Sequence, residues 1–197
     1  MAVELEKISE AMEITLKEEI SGVEFLYGTL EGKNVVCAVC GVGKVFAAIC
    51  AEAMILNFAP DAIVNSGVAG GLSETLSICD AVVAESLVQH DMDTSPLGDP
   101  LGLLSGINIV NIPCDEKASE MIKKAAEELS VHVERGVIAT GDQFISGNDK
   151  KKWLEIFMII NEINKKEDII SFSYDKDYLI VQTGLKDYYR ISLKEVE

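Results

Sequence analysis

Arg135-Gly-Val-Ile-Ala-Thr-Gly-Asp-Gln-Phe-Ile-Ser-Gly147 is the stretch that decides the fold class. Its first part, Arg135 to Ala139, is rich in β-branched and small apolar residues and is typical of a buried strand. The second part, Thr140 to Gly147, is a glycine-rich turn that follows the strand directly. Turns in this position carry the ligand sites of α/β proteins, because ligands bind outside the carboxyl ends of the strands.

The same succession of strand and glycine-rich turn occurs twice earlier in the chain. Asn34 to Cys40, which forms a predicted hairpin with Phe25 to Leu30, leads into Gly41-Val42-Gly43-Lys44. Ala62-Ile-Val-Asn65, a short apolar strand of the kind buried in parallel sheets, leads into Ser66-Gly-Val-Ala-Gly-Gly71. We therefore expect one pocket near residues 41–44, 66–71 and 140–147.

Helical patterns alternate with these strands. An alanine-rich helix is predicted from Val45 to Phe58, and an amphipathic helix from Glu116 to Leu129. The acidic start, Met1 to Ile20, has Leu5, Ile8, Met12 and Leu16 at helical spacing and is predicted to be partly helical. With a further strand from Asp80 to Val88, the pattern predicts a three-layer α/β domain around a mixed sheet.

The character of the chain changes after Trp153. Leu154 to Lys166 is predicted to be a helix, and three alternating segments then predict a β-meander: Ile169 to Tyr174, Tyr178 to Thr183 and Tyr188 to Leu193. We therefore divide the chain into an α/β domain, residues 1–153 with an atypical start at 1–22, and a tail, residues 154–197. One interpretation of the tail is an added sheet edge that serves dimerisation.

The composition excludes several functions. The chain of 197 residues has 33 acidic against 17 basic residues, a formal charge of −16, and its arginines are Arg135 and Arg190. A surface for nucleic acid needs clustered basic side chains, and an anionic membrane repels so acidic a protein. We expect neither partner, and we expect the substrate to be a small molecule.

The sequence also favours a cytoplasmic location. The start, MAVELEKISE, lacks the apolar core of a signal peptide, and no apolar run reaches the length of a membrane span. The cysteines, five in number, lie mostly in apolar segments and are typical of reduced thiols. Cys37 and Cys40 have the spacing of a redox pair, but on a strand they face opposite sides, so we expect buried thiols.

Gly41-Val42-Gly43-Lys44 suggests a phosphate-binding loop, but it matches neither known glycine-rich motif. A P-loop has a second glycine immediately before its lysine and a serine or threonine after it, and the dinucleotide motif has a third glycine. The loop by itself predicts a tight turn between a strand and a helix.

Taken together, four motifs are far more specific than any one of them. They are Cys40 to Val45, Pro60 to Gly71, Gln89-His-Asp-Met-Asp93 and Thr140 to Gly147, in this order. The series resembles the 5′-methylthioadenosine/S-adenosylhomocysteine nucleosidases of the nucleoside phosphorylase superfamily, over about residues 23–153. The resemblance implies a nucleoside phosphorylase-like fold, with a central mixed sheet that this chain leaves incomplete.

The resemblance implies a cytoplasmic, dimeric hydrolase of methionine salvage that cleaves the adenine–ribose bond without a metal or cofactor. Phe144 would pack against adenine, and the backbone of Ile145 would hydrogen-bond to it. Val42 would contact the sugar, and Leu97 would approach the alkylthio group of a substrate in the partner subunit. The ribose and base pocket would also be lined by Val68, Ala69 and Gly70. Phe144 has the alternative of a plain core residue, and His90 and Asp91 are predicted to be structural.

The catalytic residues stay unknown at this stage. Cleavage through an oxocarbenium-like sugar needs a carboxylate that activates water, a second that holds the ribose hydroxyls and an acid that protonates adenine. Thr15 occupies the first family position, after Ala11-Met12-Glu13, so Glu13 is a weak candidate, as is Glu10. The motifs for the other two acids would lie beyond Trp153, where the chain has instead Glu162, Asp168, Asp175, Asp177 and Asp187.

Two functions from different classes are therefore open. The first is a nucleosidase that acts on methylthioadenosine and S-adenosylhomocysteine, with hydrolysis favoured over phosphorolysis because of the scarcity of arginine. The second is a catalytically inactive, truncated or fused relative that binds nucleosides.

Overall fold

The computed structural model describes residues 2–164, 171–174, 178–182 and 188–192. The chain forms two compact units, Met1–Gly70 and Gly71–Glu197. The predicted domain boundary between residues 153 and 154 stays a prediction.

The first unit consists of a short helix, a three-stranded sheet and a second helix. The helix α1 spans Ala2–Ala11 and the strands are β1 Glu13–Ile20, β2 Val23–Leu30 and β3 Lys33–Ala38, followed by α2 Lys44–Phe58. The strands pair antiparallel in the order β1-β2-β3. The predicted β2–β3 hairpin and α2 are confirmed.

Tight turns connect the strands of this sheet, and the sheet begins two residues after α1 ends. Ser21 and Gly22, with φ of 54° and 76°, connect β1 to β2, and Glu31 and Gly32 connect β2 to β3 in the same way. Two successive positive φ values match the twist of hairpin strands. The predicted helical part is confirmed over Ala2–Ala11, but Leu16 lies in β1, where strand pairing overrides the periodicity.

The core of the first unit lies between β2 and α2. Val23 and Phe25 pack against Cys50 and Ala53, and the rings of Phe25 and Phe58 have centroids 5.4 Å apart. Burial of a side chain of this size stabilises the fold by about 1.5–3 kcal/mol. The described cysteines are free thiols; Cys50 is buried, whereas Cys79 is exposed.

The strand predicted at Ala62–Asn65 is wrong. Residues 62–70 form no helix or strand, and Ile63 and Val64 are exposed by 48% and 67%. A short apolar strand of a parallel sheet depends on neighbours that pair with it and cover it. The sheet of this unit consists of β1, β2 and β3, and it does not include these residues.

The second unit carries a mixed sheet. Its strands are β4 Ala81–Gln89, β5 Ile112–Pro113 and β6 Val133–Thr140, in the order β5-β4-β6. β4 pairs antiparallel with β5 and parallel with β6. The helix α3, Glu116–Glu128, begins at Asp115, whose side chain accepts a hydrogen bond of 2.8 Å from the backbone N–H of Ala118. These elements confirm the predicted α/β class and its mixed sheet.

The helix predicted from Leu154 begins earlier than expected, since α4 spans Asn148–Asn164. The three tail strands confirm the β-meander: β7 Ser171–Tyr174, β8 Tyr178–Gln182 and β9 Tyr188–Ser192 pair antiparallel in this order. Glu162 is exposed on α4, whereas Asp168, Asp175, Asp177 and Asp187 lie outside the described residues. In the described part of the chain, no helix has the length and apolarity that a membrane crossing requires.

Candidate functional site

Two loops of the second unit start side by side at the ends of β4 and β6. Because the strands are parallel and Gln89 lies opposite Thr140, both loops leave the sheet at the same edge. The backbone N–H of His90 donates to the carbonyl oxygen of Thr140 at 3.0 Å. The backbone N–H of Asp142 donates to a carboxylate oxygen of Asp91 at 2.7 Å. Two hydrogen bonds therefore connect the loops immediately after the strands.

Gly141 permits this close approach. A Cβ atom at this position would lie 2.5 Å from Nε2 of His90 and 2.9 Å from Cγ of Asp91. These distances are far inside van der Waals contact, so any larger residue would force the side chains of His90 and Asp91 to move. The glycine of the sequence motif is thus required by the packing of the loop opposite.

Asp93 shapes the loop after β4. One of its carboxylate oxygens accepts hydrogen bonds from the backbone N–H of Ser95 at 2.9 Å and from the Ser95 hydroxyl at 2.6 Å. These bonds favour the charged carboxylate, so the pKa of Asp93 lies below its ordinary value. They also start the 3-10 turn Ser95–Leu97, which presents Leu97 to solvent with 83% of its side chain exposed.

An apolar cluster supports the two loops. Val88, Leu154 and Phe157 form its buried centre, and Ile145 and Trp153 pack against it. The Trp153 ring stacks on Phe157 with centroids 5.5 Å apart, and His90 meets Trp153 edge-on at 6.4 Å. A buried cluster of this kind fixes the positions of the side chains above it.

A cavity of about 340 Å³ opens above this cluster. The loop after β4 contributes four of its lining residues, and the loop after β6 and the helix α4 contribute two each: His90, Asp91, Asp93 and Leu101, then Gln143 and Ile145, then Lys150 and Trp153. It combines an apolar wall with a few polar groups, which is the usual make-up of a small-molecule site.

Three predicted site residues lie in this unit. Ile145 lines the cavity, and Phe144 beside it is 88% exposed. The alternative that Phe144 is a core residue is therefore wrong. Leu97 is exposed in the same way on the loop after β4. Large apolar side chains exposed next to a cavity are typical of binding surfaces.

The first unit contains the other predicted binding residues. Val42 is 86% exposed in the loop between β3 and α2, where Gly41 and Gly43 have φ of 83° and 96° that disfavour any other residue. Val68 is 78% exposed, and its neighbours Ala69 and Gly70 are exposed as well.

Thr15, at the expected position of a catalytic carboxylate, and the candidate Glu13 both lie on β1. Thr15 is exposed, and its hydroxyl donates to the carbonyl oxygen of Tyr27 at 3.3 Å. Glu13 is also exposed and accepts a hydrogen bond of 3.4 Å from the hydroxyl of Thr29. Both side chains therefore face Thr29 and Tyr27 of β2 and remain accessible to solvent.

Several cavity residues were not predicted from the sequence. Lys150 and Trp153 come from the first turns of α4, whose start the helical pattern placed too late. Gln143 lies within the quoted motif but was not singled out. Among the residues that the structure describes, no group of three or more histidines, cysteines or acids is arranged to hold a metal ion.

Comparison with known proteins identifies the relatives of this chain. Residues 1–162 match the family model described as the phosphorylase superfamily. The chain is 37% identical over 145 residues to a 5′-methylthioadenosine/S-adenosylhomocysteine nucleosidase of Shewanella putrefaciens, covering 74% of this chain and 63% of the relative. It thus spans less than two thirds of the length of that curated relative.

Two solved structures are similar in fold and in sequence. A Helicobacter pylori MTAN mutant with 5′-methylthioadenosine in the active site is 34% identical, with a TM-score of 0.74, covering 78% of this chain and 67% of that chain. The Neisseria meningitidis 5′-methylthioadenosine/S-adenosylhomocysteine nucleosidase in complex with methylthio-immucillin-A is 31% identical, with a TM-score of 0.73, covering 84% and 68%.

Proposed function

Since the chain belongs to the phosphorylase superfamily and, within it, to the methylthioadenosine/S-adenosylhomocysteine nucleosidase family, we propose that it hydrolyses the adenine–ribose bond of these nucleosides. The observation that carries the proposal is the pair of hydrogen-bonded loops after β4 and β6. These loops contain two of the family motifs, and they surround a cavity beside an exposed Phe144.

The adenine end of the substrate is assigned to the loop after β6. Phe144 offers a solvent-facing ring on which a purine stacks, and stacking of a base on an aromatic side chain contributes about 1–3 kcal/mol. The backbone of Ile145 is the hydrogen-bonding partner of the base. Val42, Val68, Ala69 and Gly70 keep the sugar and base contacts that the family resemblance implies as predictions.

The scarcity of arginine favours hydrolysis over phosphorolysis. Phosphate binding requires cationic groups, and Arg135 already donates to Glu116 at 2.7 Å and to Glu120 at 2.6 Å. The ion pairs raise the pKa of Arg135 further, so the guanidinium stays charged and engaged. The nucleophile assigned to the reaction is water.

Glu13 is the proposed carboxylate for water activation, because it is the acid of β1 closest in sequence to Thr15. The matched control is Glu18, which is exposed on the same strand β1. We expect Glu13→Gln to lower kcat by a factor of about 10²–10⁴, as loss of a general base does, and Glu18→Gln to leave it unchanged. Equal rates for the Glu13 and Glu18 variants would remove Glu13 from the reaction.

We further propose that the protein acts in the cytoplasm as a homodimer. The exposure of Leu97 supports the dimer, because an apolar side chain on a loop tip is well placed to reach a partner subunit. Sedimentation at several protein concentrations tests this: a species of one chain at all concentrations contradicts the dimer.

The direct test is adenine release from 5′-methylthioadenosine and from S-adenosylhomocysteine by the purified chain. We expect turnover of both substrates, at a rate that inorganic phosphate does not change. A rate that depends on phosphate would contradict hydrolysis. No release of adenine from a folded protein would leave the alternative of a relative that binds nucleosides without cleaving them.

Phe144→Ala then tests whether adenine stacks on the ring of Phe144. Loss of the stacking partner is expected to raise KM by roughly 5- to 100-fold, the range that corresponds to about 1–3 kcal/mol. Leu129→Ala is the control, because Leu129 is 77% exposed at the end of α3 and does not line the cavity. An unchanged KM in the Phe144 variant would exclude this ring from the site.

A further inference from the structure

We propose that Asn111 and Asn161 are positioning residues: their paired amides fix the helix α4 in one register, and this register places Lys150 and Trp153 at the cavity. Neither of these two described asparagines lines the cavity itself. The expected effect on turnover rests on the proposed function. The expected effect on the position of Trp153 does not depend on it.

The apolar sequence of α4 does not by itself fix how the helix is turned against the sheet. From Trp153 to Ile160 every residue except Glu155 is apolar, so the segment has no single narrow apolar stripe. The buried side chains cover about half of the helix circumference, from Ile156 round to Leu154. Because apolar burial is non-directional, several rotations of such a helix bury a similar area.

One polar group lies within this apolar surface. Asn161 is only 3% exposed, and it follows Leu154 and Phe157 on the same face of the helix. Its side-chain amide donates to Oδ1 of Asn111 at 3.1 Å, and the amide of Asn111 donates to Oδ1 of Asn161 at 3.0 Å. The hydroxyl of Ser86 on β4 donates to the same oxygen of Asn111 at 3.4 Å. Each amide therefore donates to the other and accepts from it.

The amide pair selects one register because breaking it is costly. A turn of α4 by one residue, about 100°, carries Asn161 away from Asn111 and leaves buried amide groups without partners. Asn111 is a fixed reference for the helix, since it directly precedes β5, which pairs with β4. Buried polar pairs of this kind are the best-attested means of fixing the register of packed helices.

The register of α4 in turn decides which side chains the helix presents to the cavity. Lys150, Leu154, Phe157 and Asn161 recur at intervals of four and three residues and therefore share one face, which Trp153 borders. Trp153 precedes Asn161 by roughly two turns, about 12 Å along the helix. Any rotation that separates the amides also turns Lys150 and Trp153 away from the positions in which they line the cavity.

Two variants separate positioning from stability. Asn161→Leu leaves the amide of Asn111 short of a partner, so the urea midpoint of unfolding is expected to fall. The all-apolar variant combines Ser86→Ala, Asn111→Leu and Asn161→Leu and removes every polar member of the group. Replacing all partners by apolar side chains is close to neutral for stability. The all-apolar variant is therefore expected to recover most of the lost midpoint, although its register is no longer specified.

Two measurements report the register. Trp153 is the single tryptophan of the chain, so quenching of its fluorescence by acrylamide reports the exposure of one indole. A linear quenching plot is expected for the parent chain. A curved plot is expected for the all-apolar variant, because α4 then occupies registers that expose the indole differently.

The second measurement is adenine release from 5′-methylthioadenosine. Binding weakens by the fraction of chains in the competent register, so KM is expected to rise at least about twofold once a second register is equally populated. The value of kcat is expected to stay unchanged, because the bound chains are those in the competent register.

Asn57→Leu is the matched control. It makes the same change on α2, where the amide of Asn57 donates to the carbonyl oxygen of Ala53 at 2.8 Å, and it is expected to leave the quenching plot and KM unchanged. The proposal is overturned if the all-apolar variant, with its midpoint recovered, shows the quenching of the parent chain. A parent-like midpoint of Asn161→Leu overturns it as well, since the amide pair would then contribute nothing.

Should the all-apolar variant not fold, Asn161→Gln decides the question. Its amide is one methylene further from the helix and meets Asn111 only if α4 shifts, so a change in the quenching of Trp153 is expected. Quenching like that of the parent chain overturns the proposal. Because quenching needs no turnover, a parent chain that releases no adenine contradicts the proposed function and leaves this test intact.

Discussion

The two loops after β4 and β6 differ sharply from the glycine-rich stretch at residues 62–70. Both regions carry family motifs. In the two loops, however, hydrogen bonds connect Asp91 to Asp142 and His90 to Thr140, and a buried apolar cluster supports both loops. Residues 62–70 have no regular structure and are exposed. A motif thus acquires a defined shape where paired strands place its backbone, and its composition alone does not provide that shape.

The largest expected loss of stability comes from a substitution in the apolar cluster under the loops. Phe157 is 1% exposed, so Phe157→Ala removes a fully buried ring and is expected to lower the free energy of unfolding by about 3–5 kcal/mol. Leu129→Ala, at an exposed position, is expected to change it by less than about 0.5 kcal/mol. Urea unfolding measures both. A small effect of Phe157→Ala would mean that the loops of the second unit lack the support described above.

The contact between the loops is tested by a pair of glycines on or beside β6. Gly141→Ala introduces a Cβ atom 2.5 Å from Nε2 of His90 and is expected to cost about 1–3 kcal/mol in unfolding free energy. Gly136→Ala places the same atom in open space and is expected to be tolerated. Equal stability of the two variants in urea would contradict the close approach of the loops.

A matched pair of valines tests the contrast between the buried strand β4 and the exposed residues 62–65. Val88→Thr buries a hydroxyl in the apolar cluster, since Val88 is 0% exposed, and is expected to cost about 1–3 kcal/mol. Val64→Thr makes the same change at a side chain that is 67% exposed, and less than about 0.5 kcal/mol is expected. A similar loss for both in urea unfolding would show that residues 62–65 form the buried strand that the sequence predicts.

The smallest expected effect is a dependence of the stability of the second unit on pH. Nδ1 of His132 lies 2.9 Å from a carboxylate oxygen of Asp80, and the backbone of His132 accepts a hydrogen bond from Ala81 at the start of β4. The hydrogen bond raises the pKa of His132 above 6.5 and lowers the pKa of Asp80 below 3.8. Both side chains are charged together in the native protein over the range between these two ordinary values.

The sign of the dependence follows from the two shifts. The raised pKa of His132 gives stability that is fully present below pH 6.5 and is lost as the pH rises through the folded value. The lowered pKa of Asp80 gives stability that is present above pH 3.8 and is lost as the pH falls through its folded value. The melting temperature is therefore expected to fall on the alkaline side, and His132→Gln is expected to flatten that fall. An identical profile in the variant would contradict the ion pair.

Local patterns predicted the elements whose residues decide their own structure. The β2–β3 hairpin follows from Glu31 and Gly32, and α2 follows from an alanine-rich segment that Ala59-Pro60 stops. The start of α4 was placed six residues too late, because its first turn is polar and lysine-rich and has no apolar periodicity. The cavity could not be predicted as a unit, since its polar and apolar groups come from three separate segments.

The sequence by itself determined the α/β class, the family, the hairpin and two of the three strands predicted to end in glycine-rich turns, β3 and β6. These features depend on residue types at short spacing, and the chain carries them without reference to distant segments. The tertiary structure decided which turns form a site: it placed His90 beside Gly141, brought Trp153 under both loops and left residues 62–70 without a paired strand. The physical reason is that strand pairing and burial depend on partners far away in the chain.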